Sequence, residues 1–213
     1  MPNHPICPLC KLNDNFEYHN GNEGIFYRCN TCDLVFKASI HYPSQKTEKE
    51  RYLTHNNDIT DIGYQNFVSP IVEAVATDFP TNALGLDFGA GTGPVITKML
   101  SDKGYSLTLY DTFFHPNREA LKLSYNFIVC CEVMEHFHNP DKEFALLKSL
   151  LKPNGKLYCM TDLFSTTTNF ENWNYKNDKT HVVFYSETTL KWIQQTFNFS
   201  EVKIDGRLIV FTS

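Results

Sequence analysis

Short, nearly continuous apolar runs alternate along most of the chain with segments in which apolar residues recur three or four positions apart. Ser106–Tyr110, Tyr125–Cys131 and Lys156–Thr161 are runs of strand length, and such runs belong inside a parallel sheet buried on both faces. Between them, Phe67, Ile71, Val75 and Phe79 lie close to one helical face, as do Phe144, Leu147 and Leu151, and Leu190, Ile193 and Phe197; each set predicts a helix packed on the sheet. Pro70 marks a bend or a restart of the first of these. Asn139-Pro140-Asp141 opens the second with a cap, a proline and an acid, Lys152-Pro153-Asn154-Gly155 closes it, and Ser186 caps the third. Asn198–Lys203 and Arg207–Thr212 read as a closing antiparallel hairpin turned at Asp205-Gly206. The pattern predicts an α/β, Rossmann-like three-layer αβα fold with a mostly parallel sheet.

The first forty residues follow another pattern. Phe16–His19 and Ile25–Arg28 pair as a hairpin across Asn20–Gly24, and Leu34–Phe36 offers a third strand. Ser39–Lys49 holds Pro43, several polar residues and little apolar periodicity, so it reads as a linker. The expected division is a small N-terminal module over 1–38, a linker over 39–50 and an α/β domain over 51–213.

Composition narrows the functional classes. The 213 residues carry a net charge of −5 and a pI near 5.9, against the basic surface that nucleic-acid binding usually requires. No apolar run reaches the length of a membrane span, and Met1-Pro2-Asn3-His4-Pro5 lacks the features of a signal peptide. A cytoplasmic location, with neither membrane nor nucleic acid as partner, is the expectation.

Four of the seven cysteines form the pairs Cys7-Pro8-Leu9-Cys10 and Cys29-Asn30-Thr31-Cys32, with eighteen residues between them. Two turns presenting paired sulfurs at this spacing suit a tetrahedral Zn2+ site. Two disulfides are the alternative, and a cytoplasmic setting counts against them. Closed by four sulfurs, such a site is structural, and a zinc ribbon is the natural product. Cys130, Cys131 and Cys159 sit in apolar runs and read as buried small hydrophobes, Cys131 being near a strand end where it can touch a ligand.

The chemistry concentrates at Leu86-Asp87-Phe88-Gly89-Ala90-Gly91-Thr92-Gly93-Pro94, a short apolar run that ends in an acid, passes through a glycine-rich turn and enters a helix from about Val95 to Lys103, with Pro94 at its first position. Glycines let the backbone reverse and expose its N–H groups to a ligand. About twenty residues on, Asp111 ends the next strand, where an acid can bind ribose hydroxyls. A dinucleotide fingerprint needs a third glycine where Pro94 stands. Thr112, Phe113 and Phe114 follow Asp111, and their aromatics can lie against a base.

The order acid, aromatic, G-x-G-x-G resembles motif I of class I S-adenosylmethionine-dependent methyltransferases, and Glu132-Val133-Met134-Glu135-His136 is similar to the E-V-x-E-H string of their ubiquinone-type, small-molecule members. The resemblance covers roughly Tyr52 to Phe211. It implies S-adenosyl-L-methionine as cofactor, held by Asp87, Gly89, Ala90, Gly91, Asp111, Thr112 and Phe113, with Cys131, Glu132 and His136 near its methionine end. It also implies a cover from residues ahead of motif I, for which Tyr52, His55, Asn56 and Tyr64 are the candidates. The acid the family commonly offers to the adenine amino group has no equivalent, and only Asn117 and Ser124 stand near that place.

His181 opens an H-x-x-x-Y-S string similar to the family's, and Asp178 is placed to accept a hydrogen bond from its ring. His181, with His136 second, is the candidate catalytic base. The function implied is methyl transfer to a small-molecule acceptor. The alternatives are an RNA methyltransferase reading RNA through the ribbon, and a non-catalytic cofactor-binding module that recruits a partner.

Overall fold

The computed structural model describes residues 4–54, 58–165 and 167–213. The N-terminal module is a meander of β1 (Asn15–Gly21), β2 (Gly24–Cys29) and β3 (Val35–Lys37), followed by helix α1 (Gln45–Leu53). Then come α2 (Ile62–Asp78), β4 (Leu84–Phe88), α3 (Val95–Asp102), β5 (Ser106–Tyr110), β6 (Tyr125–Cys131), α4 (Pro140–Leu150) and β7 (Leu151–Met160). The chain ends with the short β8 (Val183–Phe184), α5 (Glu187–Thr196), β9 (Glu201–Asp205) and β10 (Leu208–Thr212).

The main sheet has the order β5-β4-β6-β7-β10-β9, parallel from β5 to β7, with β10 and β9 antiparallel. Its two faces divide the apolar residues by strand periodicity. Phe127 and Val129 pack with Val68, Ile71, Val75, Val95 and Leu100 of α2 and α3. Ile128 and Cys130 pack with Phe144 and Leu147 of α4 and Leu190 and Ile193 of α5. This is the Rossmann-like α/β fold expected from the pattern. From β4 the chain steps outward to β5 and then crosses back to β6, so the crevice at the carboxyl ends of β4 and β6 lies at a topological switch point, where open α/β sheets bind ligands.

The meander is continuous with this fold. β3 pairs antiparallel with β8, making a second sheet of order β1-β2-β3-β8. Cys7, Leu9, Leu34 and Phe36 belong to the same apolar cluster as α4 and α5. A separate aromatic cluster joins Phe26 and Val35 to Phe164, Phe170 and Phe184.

Several local features differ from the sequence pattern. The segment read as a linker contains α1, capped by the Ser44 side chain, which accepts from the Thr47 amide. Most of its side chains are polar, and its long-range ties include the pairs Glu48–His138 and Arg51–Asp178 and the contacts of the Tyr52 ring with Phe113 and His136, so apolar periodicity has little to report there. Pro70 lies inside an unbroken α2, and the Asn66 carbonyl that Pro70 cannot serve accepts the Ser69 hydroxyl instead. Pro94 caps α3 from outside the helix. β7 begins at Leu151, with Asn154 in the left-handed region, before its regular pairing with β6 starts at Lys156. Among the described residues no helix is long and apolar enough to cross a membrane.

Candidate active site

The turn after β4 is held by its own backbone. The Gly89 and Ala90 amides donate to the Tyr110 carbonyl at 2.8 and 3.1 Å, and the Gly91 amide donates to Asp111 Oδ2 at 3.1 Å. Gly89 has φ +82°, and a Cβ there would stand 2.4 Å from Val133, so the position requires glycine. Asp111 Oδ1 accepts the Phe113 and Phe114 amides at 2.7 and 2.9 Å. The carboxylate thereby ties the glycine loop to the loop after β5. Asp87 is buried, and burial pushes its pKa up to about 6 although Thr97 Oγ1 donates to it at 2.7 Å.

A cavity of about 710 Å³ opens over the carboxyl ends of β4, β5 and β6. The loops after β4 and β5 line it with Gly89, Ala90, Gly91, Asp111, Thr112 and Phe113, and Asp87 reaches it from the strand. Tyr52, Tyr64, Cys131, Glu132, His136 and His181 line it from other elements. His55 and Asn56 lie outside the described residues. Six carboxylates, those of Glu48, Asp87, Asp111, Glu132, Glu143 and Asp178, face the cavity, and among the described residues no lysine or arginine does. The wall suits a cation or a neutral ligand and disfavours a polyanion.

His136 and His181 meet in this wall with ring centroids 4.8 Å apart. His136 Nδ1 lies 2.9 Å from the Thr180 carbonyl and His181 Nδ1 2.7 Å from the Tyr175 carbonyl. A carbonyl only accepts, so each Nδ1 carries the hydrogen and each Nε2 a lone pair. Burial lowers both pKa values, that of His181 to about 3 with help from the neighbouring His136. Both rings are therefore neutral near pH 7. Next to them, the Tyr175 hydroxyl donates to Glu135 and lies 3.2 Å from Glu132, which Arg207 clamps at 2.8 Å on both oxygens. Burial raises both glutamates to about 7. Glu132 sits at φ +52° at the end of β6, outside the usual range for a non-glycine residue.

A family model described as a methyltransferase domain matches residues 62–204. The chain belongs to that family. Solved structures share the fold. An O-methyltransferase family protein from Burkholderia thailandensis is 12% identical, with 78% of this chain and 61% of that one covered and a TM-score of 0.54. Human N-acetylserotonin methyltransferase, in complex with SAM, is 11% identical, with 82% and 61% covered and a TM-score of 0.56. The 1,6-didemethyltoxoflavin-N1-methyltransferase of Burkholderia thailandensis is 14% identical, with 92% and 97% covered and a TM-score of 0.54. This methyltransferase-domain chain spans about three fifths of the length of the first two. No curated protein matches it.

Two details depart from the sequence reading of this methyltransferase-domain chain. Asp178 does not hold the His181 ring. Its Oδ2 accepts from Arg51 at 2.7 Å and its Oδ1 from the Thr180 amide and hydroxyl, because the turn after Asp178 bends its carboxylate back onto its own backbone. Burial also makes His181 a weaker base than an ordinary imidazole. Sequence reasoning missed Glu48 and Arg207 as wall or network residues, whereas Tyr175 stands in the Trp-, Tyr- and His-rich block from Trp173 to Ser186 that reads as a pocket wall. Glu48 carried one legible signal, its place one helical turn before Tyr52 behind a Ser44 cap; Arg207, in a hairpin turn, carried none.

Two side-chain groups have donor sets that can hold a metal. Cys7, Cys10, Cys29 and Cys32 are all free thiols whose ligand atoms lie within 4.8 Å of one another. The Cys7–Cys32 and Cys10–Cys29 sulfurs are 3.6 and 3.4 Å apart, near the edge of about 3.8 Å of a tetrahedron with Zn–S bonds of about 2.3 Å. Glu135, His136 and His181 form a second group of three under the same limit.

Proposed function

We propose that this methyltransferase-domain chain transfers a methyl group from S-adenosyl-L-methionine to a small-molecule acceptor. The observation that carries the reading is the cavity at the β4/β6 switch point, lined by the glycine loop, Asp111 and five further carboxylates and by no lysine or arginine among the described residues. A dinucleotide would bring a pyrophosphate to that acidic wall, and Pro94 denies it the third glycine. A sulfonium nucleoside brings a positive charge instead.

In this reading Asp111 takes the ribose hydroxyls, Thr112 and Phe113 border the base, and the Gly89–Gly91 turn with Asp87 lies along the methionine part. Cys131, Glu132 and His136 close that end, and Tyr52 and Tyr64 cover it. When bound, the cofactor supplies a methyl group on a sulfonium, which needs little further activation. The protein's task is then mainly positioning, which is worth about 7 to 11 kcal/mol at its extreme. The Nε2 lone pairs of His181 and His136 can accept a proton from a hydroxyl or ammonium acceptor, and Glu132, raised to about 7, is the stronger base at the cavity wall. The acidic wall favours an acceptor that is neutral or cationic.

We further propose that the four N-terminal cysteines bind one structural Zn2+. The chain would then divide into a ribbon (1–38), a segment (39–50) whose Gln45 and Glu48 line the cavity, and the transferase domain (51–213). The E-V-x-E-H string supports kinship with the ubiquinone-type members. Seven free thiols suit a reducing, cytoplasmic setting. The test is transfer of labelled methyl from S-adenosylmethionine into fractionated cell extract. Label in the low-molecular-weight fraction supports the proposal, label in RNA supports the ribbon as an RNA reader, and binding without transfer supports a recruitment module.

A further inference from the structure

A second, smaller cavity of about 340 Å³ lies between the β1–β2 turn and α1. Glu23, Lys37, His41, Thr47 and Lys179 are among its lining residues. α1 is a wall of both cavities, presenting Glu48 and Tyr52 to the larger and Thr47 to the smaller.

Lys37 is 1% exposed, which is rare for a lysine without a carboxylate partner. Of its three N–H donors, one reaches the Lys179 carbonyl, at 3.2 Å, and the ammonium sits 5.4 Å from the Phe26 ring centre. No other acceptor meets it among the described residues. The two nearest acids are committed elsewhere. Glu23 is paired with Lys176 at 2.5 Å, and Asp178 is held by Arg51 and Thr180. Burial lowers the pKa of Lys37 to about 8, against the pull of those acids, as expected of an ammonium short of partners. Lys179, exposed at the same cavity, forms no ion pair among the described residues. In a chain of net charge −5, this pocket has spare positive charge and unused donors.

We propose that the pocket binds a small oxyanion, a phosphate or a carboxylate, between the ammonium groups of Lys37 and Lys179, with His41 and Thr47 as further donors. An oxyanion offers several lone pairs to one ammonium and relieves the cost of burying it unpaired. Gly24, at φ +121°, lets the hairpin turn approach the His41 ring, which a Cβ there would meet at 3.0 Å. The site is separate from the methyl-transfer cavity, and only the blocking step and the affinity control of the test below draw on that reading.

The test is calorimetric titration of the full chain with inorganic phosphate and, separately, acetate, each with the large cavity blocked by saturating S-adenosylhomocysteine. The expected result is one saturable phosphate site at about millimolar affinity, and competition by acetate identifies the carboxylate arm. Lys37→Met should weaken phosphate at least about tenfold and Lys179→Ala about threefold to fivefold, the exposed pair being the weaker. S-adenosylhomocysteine affinity should be unchanged in both. If Lys37→Met does not fold, Lys179→Ala decides, together with protection by phosphate of the exposed Lys179 amine against acylation in the parent chain. No saturable phosphate binding, or binding unchanged in the variants that fold, or no protection of Lys179, overturns the proposal.

Discussion

The two ends of the large cavity are built by different means. At the glycine-loop end the shape comes from two adjacent strand ends of one β–α–β unit: Gly89, Ala90 and Gly91 after β4 bond to Tyr110 and Asp111 at the end of β5, and Asp111 bonds to Phe113 and Phe114. At the histidine end the parts arrive from far apart. Glu48 of α1 pairs with His138, Arg51 with Asp178, His136 leans on Thr180, and β8 borrows β3 as its partner. One end is a local backbone device, while the other is a tertiary assembly that depends on the N-terminal module staying docked. Disturbing the module should therefore damage the histidine end and spare the glycine loop.

The largest expected effect comes from stripping the four-cysteine site. With a structural metal removed by a chelator, methyl transfer should vanish and the melting temperature should fall by about 10 °C or more, at about 2–4 °C per kcal/mol. S-adenosylhomocysteine affinity should fall far less than turnover. Equal loss at both ends would break the comparison.

Asp111→Ala attacks the local end. It removes one carboxylate from three backbone donors and should weaken S-adenosylhomocysteine by about a hundredfold in calorimetry, at about 1.4 kcal/mol per tenfold, without lowering the melting temperature as chelation does. Next in size, His181→Ala should lower turnover by about tenfold to a hundredfold while cofactor affinity stays within about twofold. An unchanged rate would remove His181 from the chemistry and leave Glu132 as the base. Arg51→Ala opens the exposed pair with Asp178 and should raise the acceptor KM about twofold to fivefold.

A smaller, signed effect belongs to Glu135. Its folded pKa, raised to about 7 from 4.5, means that the folded chain holds the proton more tightly than the unfolded one. This contribution to stability is present below about 4.5 and is lost as pH rises through 7. His181, lowered to about 3, acts in the opposite sense, because its unfolded form takes up a proton below about 6.5. Glu132 and Asp87, raised to about 7 and about 6, act in the same sense as Glu135. Glu135→Gln removes one of these contributions, so between pH 5 and 7 the slope of its melting temperature against pH should be more positive than that of the parent. Parallel curves would show that Glu135 is ionised throughout.

The same contrast governs how much was legible in the sequence. The strands from β4 to β7, the glycine loop and Asp111 announce themselves because their determinants are adjacent: an apolar run, glycines, an acid at a strand end. The histidine end was legible as a set of residues and not as an arrangement. His136, His181 and Tyr52 stand in recognisable strings, yet the carbonyls that fix both rings and the partner of Asp178 are set by tertiary contacts that no spacing encodes. α1 was hidden because a cap, ion pairs and a single tyrosine ring hold it without an apolar stripe, and the docking of the ribbon because a two-residue strand such as β8 has no pattern of its own.

The central claim is that the acidic cavity at the switch point takes a sulfonium nucleoside. Parallel calorimetric titrations of the zinc-replete chain with S-adenosylmethionine, S-adenosylhomocysteine and NAD test it most directly. The account predicts one site of about micromolar affinity for the first two, weakened about a hundredfold in Asp111→Ala, and no measurable heat with NAD. Binding of NAD, or no binding of either sulfur nucleoside, would contradict it.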